Sequence, residues 1–289
     1  MAYHEDKPRP KRTRPEGRPP KRMEERHNKK FNKEFNEKFN EKRAESGVIC
    51  GKNPVLEALR SGRTINKVLV AAGQEPGFLR SVRELCREKQ VPFLQVERTV
   101  LDGQHPGHRG VVAYAAPFNY CEIEDMLAAA AAKGEDPLLV VLAGVEDPHN
   151  LGAVLRTVEG FGAHGVIIAR HGACPVNETV VQVAAGAAEY VPVARVANIA
   201  AALDSLKQQG LWVCGTHQEG AGSLWQAELK GPLAIVLGSE GRGLPPLVAR
   251  KCDFMVQIPM QGRINSFNVS VSAGIMLAEA VRQRQSGQK

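Results

Sequence analysis

Between residues 125 and 289 the sequence alternates short aliphatic runs with helical patterns, and this restricts the fold more than any other feature. Leu138–Leu142, Val166–Ile168, Leu211–Cys214 and Leu233–Leu237 are apolar throughout, and Met255–Ile258 is a shorter candidate. A strand without polar alternation is buried on both faces. Helical spacing lies between the runs, at Ala153–Phe161, Val180–Ala188 and Ile199–Gln208. The pattern predicts an α/β domain, a parallel sheet covered on both sides. A last helix over Val269–Arg284 is expected to turn Val271, Ile275, Leu277 or Ala278, and Val281 inward. Arg282 and Arg284 would complement its C-terminus.

Residues 47–117 read as a smaller α/β unit. Asn53-Pro54 opens an apolar helix through Leu59, with Pro tolerated in the first turn. Val68–Ala71, Pro92–Val96 and Val111–Ala115 read as strands, with a helix over Phe78–Lys89. Residues 118–124 read as a linker to a catalytic domain over 125–289. Residues 1–46 hold 15 of the 38 Lys/Arg and 9 of the 31 Asp/Glu, so this tail carries six of the seven net positive charges. Its Pro-, Lys-, Glu- and Asn-rich composition is that of a disordered segment. Phe31, Phe35 and Phe39 recur every four residues there. They fit either a solvated tail with nascent helix or an RNA-attracting arm that pairs cations for phosphates with rings for stacking.

Several classes are excluded. No apolar stretch approaches the roughly 20 residues of a membrane span. The charged N-terminus lacks a secretory core, so a cytoplasmic protein is expected. The six cysteines form no C-x-x-C pair, and His105 and His108 lack neighbouring ligands, so neither a disulfide framework nor a metal is expected.

Three polar, glycine-rich segments follow strands, where open α/β sheets bind ligands. The first is GVEDPHNLGAVLR, Gly144–Arg156. Read alone, its Asn150 is a helix cap and its Arg156 a surface charge. The second is LGSEGRG, Leu237–Gly243. Its glycines are spaced G-x-x-G-x-G, not G-x-G-x-x-G, and Glu240 at its tip suits a cationic or hydroxyl-bearing ligand better than a pyrophosphate. The third is IPMQGRINSFNVSVS, Ile258–Ser272. Its Asn265, Ser266, Asn268, Ser270 and Ser272 lead into the last helix.

In this order, N-x-G-x-x-x-R, L-G-S-E-G-x-G and I-P-M-x-G-x-x-x-S-x-N-V-S-V resemble the three motifs of the SpoU/TrmH group of the SPOUT superfamily. GKNPVLEAL and HRGVVA resemble that group's substrate-binding domain, and the likeness covers about residues 47–285. V-E-D-P-H-N-L-G-A, A-A-G-A-A-E and E-A-V-R-Q-R are similar to the RlmB type, which methylates guanosine 2'-O in bacterial 23S rRNA. The resemblance implies a SPOUT domain with a deep trefoil knot at about 233–285, and an L30e-like N-terminal domain that grips RNA. It implies a homodimer and S-adenosyl-L-methionine as cofactor. Gly238, Ile258 and Phe267 would hold the cofactor, and Thr216, in the turn Gly215-Thr216-His217, would either wall its pocket or sit in a plain surface turn. Phe267 stands where the group usually has Leu, so that contact persists only if it is a backbone one. Arg156 is implied as the catalytic residue, with Asn150, Glu240, Ser266 and Asn268 orienting it and the ribose. Two roles for Arg156 remain open, a base and a cation that binds phosphate and stabilises an alkoxide. A catalytically silent RNA-binding protein on the same fold is the alternative, as is another rRNA or a tRNA target.

Overall fold

The computed structural model describes residues 47–105, 107–217, 221–263 and 266–286, which form two sheets. The tail with its three phenylalanines, and Asn265 of the third segment, lie outside the described residues.

The first sheet is built from β1 (Gly47–Cys50), α1 (Lys52–Arg60), β2 (Ile65–Ala71), α2 (Pro76–Glu88), β3 (Phe93–Val96), α3 (Arg98–Asp102) and β4 (Val111–Ala115). Its order is β1-β4-β2-β3. Strand β4 runs antiparallel to both neighbours, and β2 and β3 are parallel. Strand β4 reads VVAYA and is buried at all five positions, whereas the edge strand β3 leaves Leu94 exposed. Helix α1 lays Val55, Ala58 and Leu59 on the sheet, the i, i+3, i+4 stripe of an amphipathic helix. Strand β1 and helix α3, four and five residues long, are additions to the sequence reading.

The second sheet follows through α4 (Ile123–Ala132), β5 (Leu138–Ala143), α5 (Pro148–Gly160), β6 (Gly165–Ala169), α6 (Glu178–Val183) and β7 (Val193–Val196). It continues with α7 (Ile199–Gln208), β8 (Trp212–Thr216), β9 (Gly222–Ser223), β10 (Leu233–Gly238), α8 (Pro246–Lys251), β11 (Phe254–Gln257) and α9 (Val269–Ser286). Its order is β7-β6-β5-β10-β8-β11-β9, and every pair is parallel. The expected parallel sheet is therefore present. Its centre is the aliphatic runs: β5 is buried at six of six positions and β10 at five of six. From β5 the chain moves outward through β6 and β7, then returns to build β8, β10 and β11 on the other side. Loops diverge at such a reversal and leave a crevice beyond the strand ends.

Two expectations need correction. Helix α5 starts at Pro148, not Ala153. Its N-cap is Asp147, whose side chain accepts from the His149 amide at 2.9 Å, so Asn150 lies inside the helix and is not its cap. Asp before Pro combines a cap oxygen with a first-turn ring that needs no partner for its missing N–H. Helix α9 turns inward a face that matches the expected one in part: Leu277 is buried and Ile275 and Val281 pack against the core, as expected. Val269, Ala273, Met276, Leu277 and Ala280 are buried, while Val271 is 47% exposed and Ala278 is exposed. Apolar residues lie on several sides of α9, so packing against α5 and β10 selects the inner face. Arg284 lies in the last turn of α9, as expected, and also bonds beyond its own helix. Its guanidinium donates to the carbonyls of Asp136, Pro137 and Gly231, tying α9 to the chain entering β5 and β10.

The segment from α6 to Tyr190 seats the first sheet on the second. Arg63 donates to Glu189 Oε1 at 2.6 Å and to the Ala116 carbonyl at 3.0 Å, and both side chains of the pair are largely buried. Tyr190 donates its hydroxyl to Glu57 Oε2 at 2.6 Å, which pushes the phenol up to about 12. Gly186 lies so close to Glu57 that a Cβ there would meet its Cγ at 2.5 Å. The Cys50 thiol donates to Glu178 at 2.8 Å, and burial together with that carboxylate holds it protonated. His105 comes near this pair, with its Nε2 2.6 Å from the Tyr114 hydroxyl. Among the described residues no helix is long and apolar enough to cross a membrane.

Candidate active site

The three polar segments, separated by up to 118 positions, converge beyond the carboxyl ends of β5, β10 and β11. Asn150 Nδ2 donates to Glu240 Oε1 at 2.9 Å. Asn268 Nδ2 donates to Asn150 Oδ1 at 2.9 Å and to the same Glu240 oxygen. The Val269 amide, at the start of α9, also points at Glu240 Oε1 at 3.4 Å, so this carboxylate sits at a helix N-terminus where negative charge is favoured. Asn268 caps α9, its Oδ1 accepting from the Ser270 amide at 2.9 Å and the Ser270 hydroxyl at 2.6 Å. One residue from each segment thus enters a single hydrogen-bonded cluster.

Each member is held by its element. Asn150 rides on α5, which lies tightly against α6 because residue 152 is glycine: a Cβ there would stand 2.7 Å from Val183 Cβ and 2.9 Å from the Val180 carbonyl. Glu240 is at the tip of a loop closed by two backbone bonds, Ser239 N to Gly243 O at 3.2 Å and Gly243 N to Ser239 O at 3.0 Å. That closure explains the glycine spacing. A Cβ on Gly238 would lie 2.2 Å from the Gly243 backbone, while Gly241 (φ 82°) and Gly243 (φ 64°) occupy the left-handed region.

Beside the cluster is a cleft lined by Thr216, Gly238, Ile258 and Phe267, the four expected cofactor contacts, together with Leu244, Ser266 and the glycine loop. Thr216 is the last residue of β8, and its hydroxyl donates to the Val236 carbonyl at 3.3 Å, so the pocket wall is braced to β10. The lining suits a molecule with one apolar ring system and one polar end. Ile258, Leu244 and Phe267 offer apolar surface, and the loop whose glycines let a ligand approach the backbone offers polar groups. The donor set fits S-adenosylmethionine on these grounds. A second cleft, on the other side of Glu240, is lined by Glu146, Asp147, Asn150, Glu240 and Arg242.

Arg156 stands apart from the cluster. Six residues along α5 place it about 9 Å and about 120° around the helix from Asn150. It is exposed, lines neither cleft, and has no hydrogen bond or ion pair among the described residues. Two residues of the site were not singled out from the sequence: Asp147, which caps α5, and Arg242, which lines both clefts.

Comparison with known proteins gives the same picture. Residues 137–278 match the SpoU rRNA Methylase family, and residues 48–121 match the domain described as RNA 2'-O ribose methyltransferase substrate binding. A Bacillus subtilis protein, YacO, named for the TrmH family of tRNA/rRNA methyltransferases, is 40% identical over 237 residues, covering 82% of this chain and 95% of its own. The SpoU methyltransferase AviRb from Streptomyces viridochromogenes, solved with its cofactor AdoMet, superimposes with a TM-score of 0.73 at 26% identity, over 85% of this chain and 93% of that one. An AdoMet-bound rRNA methyltransferase from Sinorhizobium meliloti gives 0.68 at 25% identity, over 85% and 90%.

Proposed function

The chain belongs to the SpoU/TrmH family of S-adenosylmethionine-dependent RNA 2'-O-ribose methyltransferases, and on that premise we propose that its target is a guanosine ribose in 23S rRNA. The observation that carries the reading is the Asn150–Glu240–Asn268 cluster at the mouth of the Gly238 cleft. The 23S target is supported by the V-E-D-P-H-N-L-G-A, A-A-G-A-A-E and E-A-V-R-Q-R segments.

Gly238, Thr216, Ile258 and Phe267 would hold the cofactor, which when bound supplies an already activated methyl on a sulfonium. The protein's remaining task is mainly alignment of a ribose 2'-oxygen. Glu240 is suited to this. Its Oε1 is taken by the two asparagines and the Val269 amide, and its Oε2 has no partner among the described residues and is open to a hydroxyl. Ser266, on the wall of the same cleft, is assigned to ribose contact with Asn268. The role of Arg156 in this reading is to stabilise the developing alkoxide and bind phosphate as a cation.

The position of Arg156, outside its own cluster, supports a homodimer in which a second copy brings that cation to the site. Exposed Val271 and Phe267 at the start of α9 support the same assembly. The domain division 47–117, 118–124 and 125–289 belongs to this reading, supported by the separate matches at 48–121 and 137–278. So does a knot at about 233–285, supported by the placement of β10 between β5 and β8 with β11 beyond β8.

The test is transfer of radiolabelled methyl from S-adenosylmethionine to total RNA from cells lacking the gene, followed by mapping of 2'-O-methyls. Label at one guanosine of 23S rRNA is expected. Label confined to tRNA or to another nucleotide overturns the target, and no label in any RNA overturns the enzymatic reading.

A further inference from the structure

The second cleft is acidic. Glu146, Asp147 and Glu240 line it, and Arg242 is its one basic residue among the described residues. A nucleic acid enters such a cleft with a phosphate on either side of the ribose, and three carboxylates there oppose its approach. We propose that Arg242 binds the phosphate next to the ribose being methylated and so sets the acceptor strand against the cofactor cleft.

Four observations carry this. Arg242 lines both clefts, so its side chain stands where the two adjoin. It lies between Gly241 and Gly243, both left-handed, in the loop closed by the paired Ser239 and Gly243 backbone bonds; a fixed backbone presents it. Its guanidinium is unspent, exposed and without hydrogen bond or ion pair among the described residues. The nearest carboxylate in sequence, Glu240, directs one oxygen at Asn150, Asn268 and the Val269 amide instead of at Arg242. A planar, permanently charged fork with free donors beside an acidic cleft matches a phosphate. The inference rests on RNA methyl transfer as the reaction, but not on which RNA is the target.

The experiment uses the full chain as wild type, Arg242→Gln and Arg242→Lys, with total RNA from cells lacking the gene as acceptor. S-adenosylmethionine binding is measured separately by calorimetry. Arg242→Gln is expected to raise KM for RNA about tenfold and to make the salt dependence of log KM shallower by about one. Cofactor affinity should stay within about twofold, and Arg242→Lys should recover most of the KM, since a phosphate accepts a point charge. An unchanged KM for RNA overturns the proposal. So does weakened cofactor binding with normal RNA saturation, which would assign the guanidinium to the methionine carboxylate. Wild-type protein that labels no RNA at all instead refutes the enzymatic reading, and RNA binding of the three proteins by filter retention then decides Arg242 alone.

Discussion

The seat between the two sheets and the cluster beyond the strand ends are both made of side chains far apart in sequence, yet water treats them differently. In the seat, Arg63 and Glu189 are largely buried, with 13% and 4% of their side chains exposed. In the cluster, Glu240 and Asn268 are exposed. Exposed hydrogen bonds exchange with water and contribute little to stability, whereas a buried charge must keep its partner. A cluster of exposed hydrogen bonds that joins a helix, a loop and a helix start is, on the proposed reading, there for a ligand. The seat is explained by what it holds in place.

The largest effect that would test this contrast is in the seat. Arg63→Ala leaves Glu189 buried without its cation and also frees the Ala116 carbonyl, which should cost about 3–5 kcal/mol of unfolding free energy. Chemical denaturation measures it, and a loss below about 1 kcal/mol would mean the seat is no more than a surface contact. Glu189 is already under stress: burial raises its pKa against the opposing pull of Arg63, and removing the guanidinium should raise it further.

The cluster should behave in the opposite way. Glu240→Ala removes the acceptor shared by Asn150, Asn268 and the Val269 amide and, on the proposed reading, loosens the ribose site. A drop in kcat of about 100-fold, close to 3 kcal/mol on the barrier, is expected. Stability should change by less than about 1 kcal/mol. A large fall in melting temperature with kcat preserved in the folded fraction would show that the cluster is structural after all.

This division also explains what was legible in the sequence. The strand runs at Leu138–Leu142 and Leu233–Leu237 were legible because complete burial imposes one chemistry on every residue. Strand β7, VARV, was not, since four residues half buried at one end carry too little pattern. The three site segments stood out because polar residues and glycines follow apolar strands there. Their mutual bonds were hidden, since nothing local pairs Asn150 with a glutamate 90 residues away. The Asp147-Pro148 start of α5 is a local signal, a cap oxygen before a first-turn proline, that the stronger helical spacing from Ala153 onward masks. The inner face of α9 could not be chosen from composition, because Val271 is as apolar as the buried Val269 and only packing separates them. The seat had no sequence signal beyond A-A-G-A-A-E, whose Gly186 is required by Glu57 of helix α1.

The smallest expected effect is a pH dependence that belongs to buried groups. His164 is 7% exposed; its Nδ1 accepts from the Leu138 amide at 3.0 Å, and its Nε2 lies 3.0 Å from Glu135 Oε2. Burial lowers its pKa below 6.5 despite the pull of Glu135 upward. The folded protein therefore binds fewer protons than the unfolded chain just below pH 6.5. Its contribution is full above that value and is lost as pH falls through the lower, folded value. Glu189 works with the opposite sign: its raised pKa makes charging costly, so acidification through that raised value relieves a strain. The two must be separated by substitution. His164→Gln keeps an acceptor for Leu138 and removes the titration, so its denaturation midpoint should fall less than that of wild type between pH 7 and pH 5. If His164→Gln tracks wild type across that interval, the buried imidazole is not the source of the acid sensitivity and the interior loses its part in the contrast.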